Sequence, residues 1–331
     1  MNGRNLTAAR ITGATLAAVL CLSLMRAPEA AAQNVESRAK ILGVAHLAVY
    51  VKDLEKSRRF YEDFLGFAEP FPLPPDKGTG ARIAFVKVND QQYFELFREP
   101  DRGEGQLHHI AFYTDHAQRL LAELKSKGAA GTASGGVTRD KTGNWNFTVR
   151  DPDGHDVEFV EYRRGSLTSR AAGKSMPSAR ISEHIMHVGV LVGDLDRAMA
   201  FYHGILGFGE FWRGSRSETE LNWVNMRAPN GQDYLEFMLY SKLPAPGDRG
   251  TPHHASLTIA NAEEALAALK ARAARAGYTR EITIITGINR KRHIDLYDPD
   301  GTRIELMEAN TVDGKPAPSS QAPPPHPGSR W

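Results

Sequence analysis

Histidine and glutamate recur at equivalent places along this chain, in short apolar stretches that indicate β-strands. Neutral imidazole and carboxylate are both ligands for divalent ions such as Zn²⁺, Ni²⁺, Fe²⁺ and Mn²⁺. A carboxylate inside an apolar sheet costs several kcal/mol unless it is paired or bound to metal, so its recurrence needs a chemical reason. The pattern predicts a divalent metal ion as cofactor, with the ligands His46, Glu95, His109 and Glu158 in the first half of the chain and His187, Glu236, His254 and Glu305 in the second.

The spacing of these residues indicates one unit repeated four times. The stretch His-Leu-Ala-Val-Tyr at 46–50 returns as His-Ile-Ala-Phe-Tyr at 109–113, and Glu95 and Glu158 keep the same offset of 63 residues. The second half of the chain repeats the first at offsets of 141 to 147 residues. Each copy has roughly sixty residues, at or beyond the upper end of the usual range for repeated supersecondary units.

Strands and helices follow the same order in each unit. In the first unit, residues 41–51 predict a strand, and residues 54–65 predict a helix that begins after Asp53 and ends at Gly66. Two further strands are predicted at 83–88 and 93–97. The second unit has the corresponding elements at 109–113, 117–127, 146–149 and 157–162.

An Asp-Pro-Asp-Gly turn precedes the last strand of each half, at 151–154 and 298–301. Proline presets φ and glycine tolerates φ > 0, so this sequence is typical of a tight turn. Side chains alternate along a strand, which places Asp156 and Glu158 on one face. The turn therefore fixes the direction in which Glu158, and likewise Glu305, points.

The N-terminal stretch is typical of a secretory signal peptide. Arg4 and Arg10 precede an apolar run from Ile11 to Met25, which ends in small residues before Gln33. We expect cleavage after residue 32 and a periplasmic or extracellular location. The only cysteine, Cys21, lies in this segment, so the mature chain would have no disulfide and no thiolate ligand. The mature chain would have 38 basic and 38 acidic residues and no basic run. It therefore gives no electrostatic reason to expect nucleic acid or a membrane surface as partner.

The predicted domain organisation follows from these segments. The signal peptide covers residues 1–32, the first domain 41–162 and the second domain 181–309. A linker rich in Ser, Gly, Ala and Arg occupies 163–180, and a proline-rich tail, predicted to be disordered, occupies 310–331.

The motifs resemble those of the vicinal oxygen chelate superfamily, which includes glyoxalase I, epimerases, fosfomycin-resistance proteins and extradiol dioxygenases. The resemblance is carried by His-Leu-Ala-Val-Tyr-Val, Asp-Leu-x-x-Ser-x-x-Phe-Tyr, Leu-Gly-Phe, His-His-Ile-Ala-Phe and Asp-Pro-Asp-Gly-x-x-x-Glu, and it covers 41–162 and 182–308. It implies an α+β fold of four βαβββ modules that pair into two half-barrel domains, with mixed or antiparallel curved sheets and outer helices. It also implies a metal that the substrate chelates through two neighbouring oxygens.

The resemblance implies an activity of glyoxalase I type, a metal-dependent lyase or isomerase, because Glu95 and Glu236 match the place of that enzyme's fourth ligand. Glu158 or Glu305 would then act as the catalytic base that moves a proton between neighbouring carbons, with Glu95 and Glu236 as the alternative bases. An exported protein would not meet cytoplasmic glutathione adducts, so a different small molecule with vicinal oxygens is expected as substrate.

Two other activities remain open on the same scaffold. A ring-cleaving Fe(II) dioxygenase of extradiol type fits the His, His and Glu triad and the neighbouring His108 and His253. However, Thr148 and Asp295 stand where such enzymes usually carry tyrosine. A metal-free ligand-binding or resistance protein is the second alternative, although it would have no use for complete ligand sets.

The way in which the four units pair is also open. Neighbouring units can pair within each half, which gives the two ligand sets above. Alternatively, the outer two and inner two units can pair across the halves, which would join His46 and Glu95 with His254 and Glu305. The chain is expected to be a monomer with an internal pseudo-dimer, or a homodimer.

Overall fold

The structure is a computed structural model that describes residues 38–73, 82–99, 106–129, 135–245, 249 and 252–326. The predicted signal peptide, residues 1–32, lies outside these described residues. No helix in the described part of the chain is both long enough and apolar enough to cross a membrane.

The first half forms one sheet of seven strands. The strands are β1 (Ile41–Val51), β2 (Ile83–Lys87), β3 (Tyr93–Arg98), β4 (Leu107–Thr114), β5 (Thr138–Arg139), β6 (Trp145–Arg150) and β7 (Asp156–Glu161), in the spatial order β2-β3-β1-β4-β7-β6-β5. The central pair β1 and β4 is antiparallel, whereas β1 with β3 and β4 with β7 are parallel. The sheet is therefore mixed, and its two units meet at the β1–β4 pair.

The second half repeats this arrangement in a sheet of eight strands. They are β8 (Ile185–Val192), β9 (Gly209–Gly214), β10 (Trp223–Arg227), β11 (Tyr234–Leu239), β12 (His254–Ile259), β13 (Ile285–Thr286), β14 (Lys291–Tyr297) and β15 (Arg303–Thr311), in the order β13-β14-β15-β12-β8-β11-β10-β9. The β8–β12 pair is antiparallel and corresponds to the pair β1–β4. Two curled mixed-sheet half-barrels with few helices confirm the predicted fold class.

The described residues form five α-helices, two of them where helices are predicted at 54–65 and 117–127, and one within the predicted linker. They are α1 (Leu54–Arg58), α2 (Ala117–Ser126), α3 (Leu167–Arg170), α4 (Leu195–Met199) and α5 (Ala262–Ala276). The Asp53 carboxylate accepts hydrogen bonds from the Glu55 and Lys56 amides, which satisfies two orphan donors at the start of α1. Both α1 and α4 continue as π-helical segments, Arg59–Phe64 and Ala200–Ile205, which the sequence did not predict.

The sheet topology decides the pairing of units. Units one and two share the first sheet and units three and four share the second, so neighbouring units pair. The predicted alternative, in which outer and inner units pair across the halves, is wrong for the sheets and for the ligand sets.

The two halves nevertheless share one hydrophobic core. Buried residues of both sheets belong to the same cluster, and the Phe112 and Phe208 rings pack edge to face with centroids 5.1 Å apart. Each Asp-Pro-Asp-Gly turn also reaches the opposite half. Asp151 accepts a hydrogen bond from the Tyr202 hydroxyl at 2.9 Å, and Asp298 accepts one from the Tyr61 hydroxyl at 3.3 Å. The turns thus join the halves reciprocally, a second role that their sequence did not reveal.

The segments predicted as linker and tail are both packed where the structure describes them. In the linker, the carbonyl oxygens of Ala171 and Lys174 accept hydrogen bonds from the buried Lys87 ammonium at 2.6 and 2.9 Å. In the tail, the Pro318 carbonyl accepts a hydrogen bond from the Trp212 indole, and Ala322 is buried in the core. The Ser320 amide also donates to the Arg213 carbonyl, so this part of the tail packs against β9, and the disorder of the tail stays a prediction.

Candidate metal centres

Three residues of the first ligand set lie on one face of the first sheet. His46 on β1 pairs with Ala111 on β4, and Ala111 in turn pairs with Glu158 on β7. His109 is two residues from Ala111 and therefore shares its face. The neighbouring positions Ala48 and Ala111 are small, so the imidazole rings have room above the sheet. Strand register alone thus brings together two histidines and a glutamate that are far apart in sequence.

The donor atoms of this set converge. The Nε2 atoms of His46 and His109 are 2.7 Å apart, and the Glu158 oxygens lie 3.6 Å from His46 Nε2 and 3.9 Å from His109 Nε2. All three side chains are largely shielded from solvent. We call His46, His109 and Glu158 the first centre.

The second sheet repeats the arrangement, but here a histidine ring lies closer to the backbone of the neighbouring strand. His187 on β8 pairs with Ser256 on β12, which pairs with Glu305 on β15. Gly189 occupies the position equivalent to Ala48, and a Cβ atom there would lie only 1.9 Å from the His254 ring. A glycine is therefore required at this position because the His254 ring lies directly on the backbone.

The second set of donors converges in the same way. The Nε2 atoms of His187 and His254 are 3.1 Å apart, and Glu305 Oε2 is 3.4 Å from His187 Nε2. Both histidines are completely buried, and Glu305 is 6% exposed. We call His187, His254 and Glu305 the second centre.

The predicted fourth ligands lie beside the centres but not in equivalent positions. Glu95 contacts Nδ1 of His46 at 3.4 Å, which is the nitrogen that points away from the other donors. Glu236 instead contacts Nε2 of His254 at 3.5 Å. Among the described residues, the three donors of each centre lie within 4.8 Å of one another, and neither Glu95 nor Glu236 belongs to such a group. The structure therefore brings six predicted ligands together in two triads and places two more at their edges.

Burial keeps the imidazoles neutral. Desolvation lowers the pKa of His46 and of His187 to about 3 and that of His254 to about 4. The pKa of His109 is lowered well below its usual range for the same reason, with His46 as a further cause. Neutral imidazole is the form that binds metal, so these histidines need not lose a proton first at neutral pH.

Burial has the opposite effect on the carboxyl groups of the first centre. Desolvation, assisted by the Asp140 charge, raises the pKa of Glu158 to about 8. Desolvation and the Glu158 charge also raise the pKa of Glu95 well above its usual range. Two largely buried carboxyl groups beside two neutral imidazoles are the electrostatic setting that a divalent ion would relieve.

The second centre has a specific feature that a metal ion would satisfy. Glu305 Oε2 is buried and has no hydrogen-bond partner among the described residues, although it lies only 3.4 Å from His187 Nε2. Leaving a buried carboxylate oxygen without a partner is costly. Two imidazole nitrogens and this oxygen are a fitting donor set for a divalent ion such as Zn²⁺, Fe²⁺ or Mn²⁺.

Two further potential donors near the second centre are not among the predicted ligands. His293 and Asp295 alternate along β14 and form a group of potential donors with Glu305, with His293 Nε2 at 3.9 Å from Glu305 Oε1. Their equivalents in the first half are Asn146 and Thr148, so the repeat pattern itself offered no signal. Strand alternation next to Glu305 was the clue that could have found them.

Comparison with known proteins identifies the family. The model of the Glyoxalase/Bleomycin resistance protein/Dioxygenase superfamily matches residues 43–159 and again 184–306. The chain belongs to this superfamily. Among curated members, the lactoylglutathione lyase GLX1 of Arabidopsis thaliana is 27% identical over 169 residues, which cover 49% of this chain and 53% of that protein. The chain thus spans about half the length of the first curated relatives that it matches.

Two solved structures share the fold of this chain. An extradiol ring-cleaving dioxygenase from B. fuscum superposes with a TM-score of 0.62 at 19% identity, covering 86% of this chain and 76% of that one. The Mn(II)-bound glyoxalase from Novosphingobium aromaticivorans gives a TM-score of 0.60 at 19% identity, with 87% and 89% covered. At this identity the similarity establishes the fold and leaves the reaction to be argued from the site.

Proposed function

We propose that the protein is a metal-dependent lyase or isomerase of glyoxalase I type, acting on a small molecule that presents two neighbouring oxygens. One observation carries this proposal. In each half, a second buried carboxylate, Glu95 or Glu236, lies within 3.4 or 3.5 Å of a histidine of the centre, beside Glu158 or Glu305. A site that moves a proton needs a carboxylate besides the one that stays bound, and this arrangement provides it in both halves.

Each residue of the two centres would have its own role in this reaction. His46, His109 and Glu158, or their counterparts in the second centre, would hold a divalent ion. When bound, such an ion supplies Lewis acidity toward two substrate oxygens, which acidifies the adjacent C–H bond. Glu158, whose oxygens lie 3.6 and 3.9 Å from the two histidines of its centre, would accept and return the proton that moves between neighbouring carbons. We assign the same role to Glu305, and Glu95 and Glu236 would be the additional carboxylate beside each centre.

The comparisons support this assignment in part. The lactoylglutathione lyase of Arabidopsis thaliana is a lyase of the same superfamily. We further propose that the protein is exported, on the strength of residues 1–32 alone. Because export separates the protein from cytoplasmic glutathione, the substrate would be another compound with vicinal oxygens.

A second candidate function rests on a different observation. The donors that converge most closely are two histidines and one glutamate in each centre, which is the facial triad of non-haem Fe(II) oxygenases. On this alternative the protein cleaves catechol-type rings with oxygen, and Glu95 and Glu236 do not bind the metal.

The two candidates are separated by the reaction itself. The purified protein would be loaded with Zn²⁺, Ni²⁺, Mn²⁺ or, without air, Fe²⁺. Exchange of the carbon-bound proton with D₂O would be followed by NMR on hemithioacetals of methylglyoxal with several thiols. We expect exchange that Glu158→Gln and Glu305→Gln together reduce by about 10²- to 10⁴-fold. Oxygen uptake on catechols with Fe²⁺, and no proton exchange, would overturn the lyase assignment and favour the dioxygenase.

The chain offers a matched control for these variants. Glu161 lies on the same strand as Glu158, but its carboxylate accepts the Ala117 amide on the opposite face at 2.8 Å. Glu161→Gln should leave proton exchange unchanged. If all three variants lost activity equally, general destabilisation would explain the loss, and the assignment of Glu158 and Glu305 would fall.

A further inference from the structure

The cavities beside the two centres differ in charge, although the centres themselves are alike. The first cavity, about 230 Å³, is lined by Asp140 and Asp156 against Lys141, besides its glutamates. The second cavity, about 290 Å³, is lined by Arg216 and Arg303 against Asp295. Apart from the two glutamates of each cavity, the first wall thus carries an excess of carboxylates, and the second an excess of guanidinium groups.

This difference originates at one pair of equivalent positions. Asp156 begins β7 and Arg303 begins β15, each two residues before the glutamate of its centre. Strand alternation therefore directs both side chains to the face that carries the donors. In the first half, Asp156 is neutralised by Arg150, whose Nε and Nη2 donate to Asp156 Oδ1 at 3.0 and 2.9 Å. The residue in place of Arg150 in the second half is Tyr297, which supplies no charge.

Arg303 is poorly satisfied within the protein. Its Nη1 lies 3.9 Å from Asp295, beyond hydrogen-bond distance, and its buried Nε has no hydrogen-bond partner in the described part of the chain. Its Nη2 lies 2.6 Å from His254 Nδ1, but the same Nδ1 lies 2.9 Å from the Pro252 carbonyl. A carbonyl only accepts and a guanidinium only donates, so one nitrogen cannot satisfy both.

The role of His254 as a ligand resolves this conflict. If Nε2 faces a metal, Nδ1 keeps its hydrogen and donates it to the Pro252 carbonyl, as ligand histidines commonly do. Arg303 Nη2 then keeps only the weak acceptor Met238 Sδ, at 3.8 Å, so its guanidinium group is left to pair with an acceptor in the cavity. The rest of the wall includes Trp212, Trp223, Met238 and Met307, so the cavity combines apolar walls with a cationic end.

We propose that the second centre takes an anionic substrate, a small organic carboxylate whose negative group pairs with Arg303 while its vicinal oxygens face His187, His254 and Glu305. A planar carboxylate matches the forked geometry of guanidinium donors. The first centre lacks this receptor because Asp156 stands in its place, so the two centres discriminate between substrates by charge. This inference rests on the proposed function in that it names the substrate class of one of its two sites.

The test compares two ligands that differ only in the distant carboxylate. 2-Oxoglutarate and 2-oxopentanoate are both five-carbon 2-oxo acids, but only 2-oxoglutarate carries a second carboxylate at the far end. Binding would be measured by calorimetry with Zn²⁺-loaded full-length protein carrying Glu158→Gln, so that only the second centre is loaded. We expect 2-oxoglutarate to bind about tenfold tighter or more, since hydrogen bonds to charged groups are the stronger ones. Arg303→Gln should abolish this preference.

Two further variants test whether loss of folding, and not loss of the guanidinium group, explains the result with Arg303→Gln. Arg303→Lys keeps the charge and should retain part of the preference, whereas Asp156→Asn at the equivalent position should leave it unchanged. Equal affinity for the two ligands in the parent protein, or an unchanged preference in Arg303→Gln, would overturn the inference.

The same titration without metal separates this inference from the proposed function. If the protein holds no metal but still prefers 2-oxoglutarate through Arg303, the anion receptor stands and the enzyme assignment fails. If the protein holds metal and shows no preference, the enzyme assignment stands and the anion receptor fails.

Discussion

At the scale of single residues, burial decides the protonation states around the centres. The histidines are kept neutral by desolvation, so they are ready to bind a cation. The Glu158 carboxyl is held protonated by the same low polarity, with its pKa near 8. A metal that enters the first centre must therefore displace a proton from Glu158 but none from His46.

This gives a prediction for the pH dependence of metal affinity. In a Glu305→Gln variant, which isolates the first centre, Zn²⁺ affinity should rise with pH by up to about tenfold per unit and level off above pH 8. The sign follows because the raised pKa keeps Glu158 protonated below that pH, and only the carboxylate binds. Dissociation constants at pH 6.5, 7.5 and 8.5 would measure the slope.

Asp140→Asn provides the control, because the Asp140 charge contributes to the raised pKa of Glu158. This variant should bind Zn²⁺ more tightly at pH 6.5 and show a shallower slope. An affinity that does not change between pH 6.5 and 8.5 in the isolated first centre would contradict the protonated state assigned to Glu158.

At the scale of elements, the Asp-Pro-Asp-Gly turns have two functions. Each begins the strand that carries a ligand glutamate, and each accepts a tyrosine hydroxyl from the opposite half. Gly154 closes the first turn with φ at 88°, in a region that L residues rarely adopt. No atom lies within 4 Å of the place where its Cβ would be, so the need for glycine comes from the backbone alone.

Gly154→Ala should therefore lower the free energy of unfolding by about 1–2 kcal/mol through backbone strain. Urea denaturation followed by circular dichroism would measure it. Gly136→Ala is the matched control, since Gly136 also has open space around its Cβ position but no positive φ. If both alanine variants were equally stable, the strained conformation assigned to Gly154 would be incorrect.

The elements also show how far the sequence could predict the site. The repeat placed all eight ligand candidates on strands, and the turn fixed the face of Glu158 and Glu305. The orientations of Glu95 and Glu236 could not be predicted, because rotamers of equivalent residues depend on neighbours that differ between the halves. The packing of the tail against β9 was also missed, since proline-rich composition does not reveal that Trp212 offers a donor to Pro318.

At the scale of the whole molecule, two sheets share one core and exchange contacts through their turns. The repeat pattern predicted four similar units that pair into two domains. It left open which units pair, because either pairing satisfies the same local pattern. The Asp298 carboxyl lies at this junction and is 3% exposed. Burial is the main cause that raises its pKa to about 7, opposed by hydrogen bonds from the Thr302 and Asp300 amides.

The junction should make stability dependent on pH. Because the folded pKa of Asp298 exceeds that of the unfolded chain, its stabilising contribution is complete below about pH 4 and is lost as pH rises through about 7. This group alone should lower the free energy of unfolding by at most about 1.4 kcal/mol per pH unit in that window. Urea denaturation at pH 5, 6, 7 and 8 would measure the trend.

Asp298→Asn removes the titrating group but keeps an oxygen that can accept the Thr302 amide. Between pH 5 and 8, the free energy of unfolding of this variant should fall less than that of the parent protein. A decline as steep as that of the parent protein would assign the pH dependence to other groups.

The central claim is that each half holds its own divalent ion through two histidines and one glutamate, and counting bound metal tests it most directly. The protein, Glu158→Gln, Glu305→Gln and the double variant would be loaded with Zn²⁺, desalted and measured by elemental mass spectrometry. We expect about two ions per chain in the parent, about one in each single variant and none in the double variant. A parent protein that retains no ion, or single variants that retain both, would contradict it.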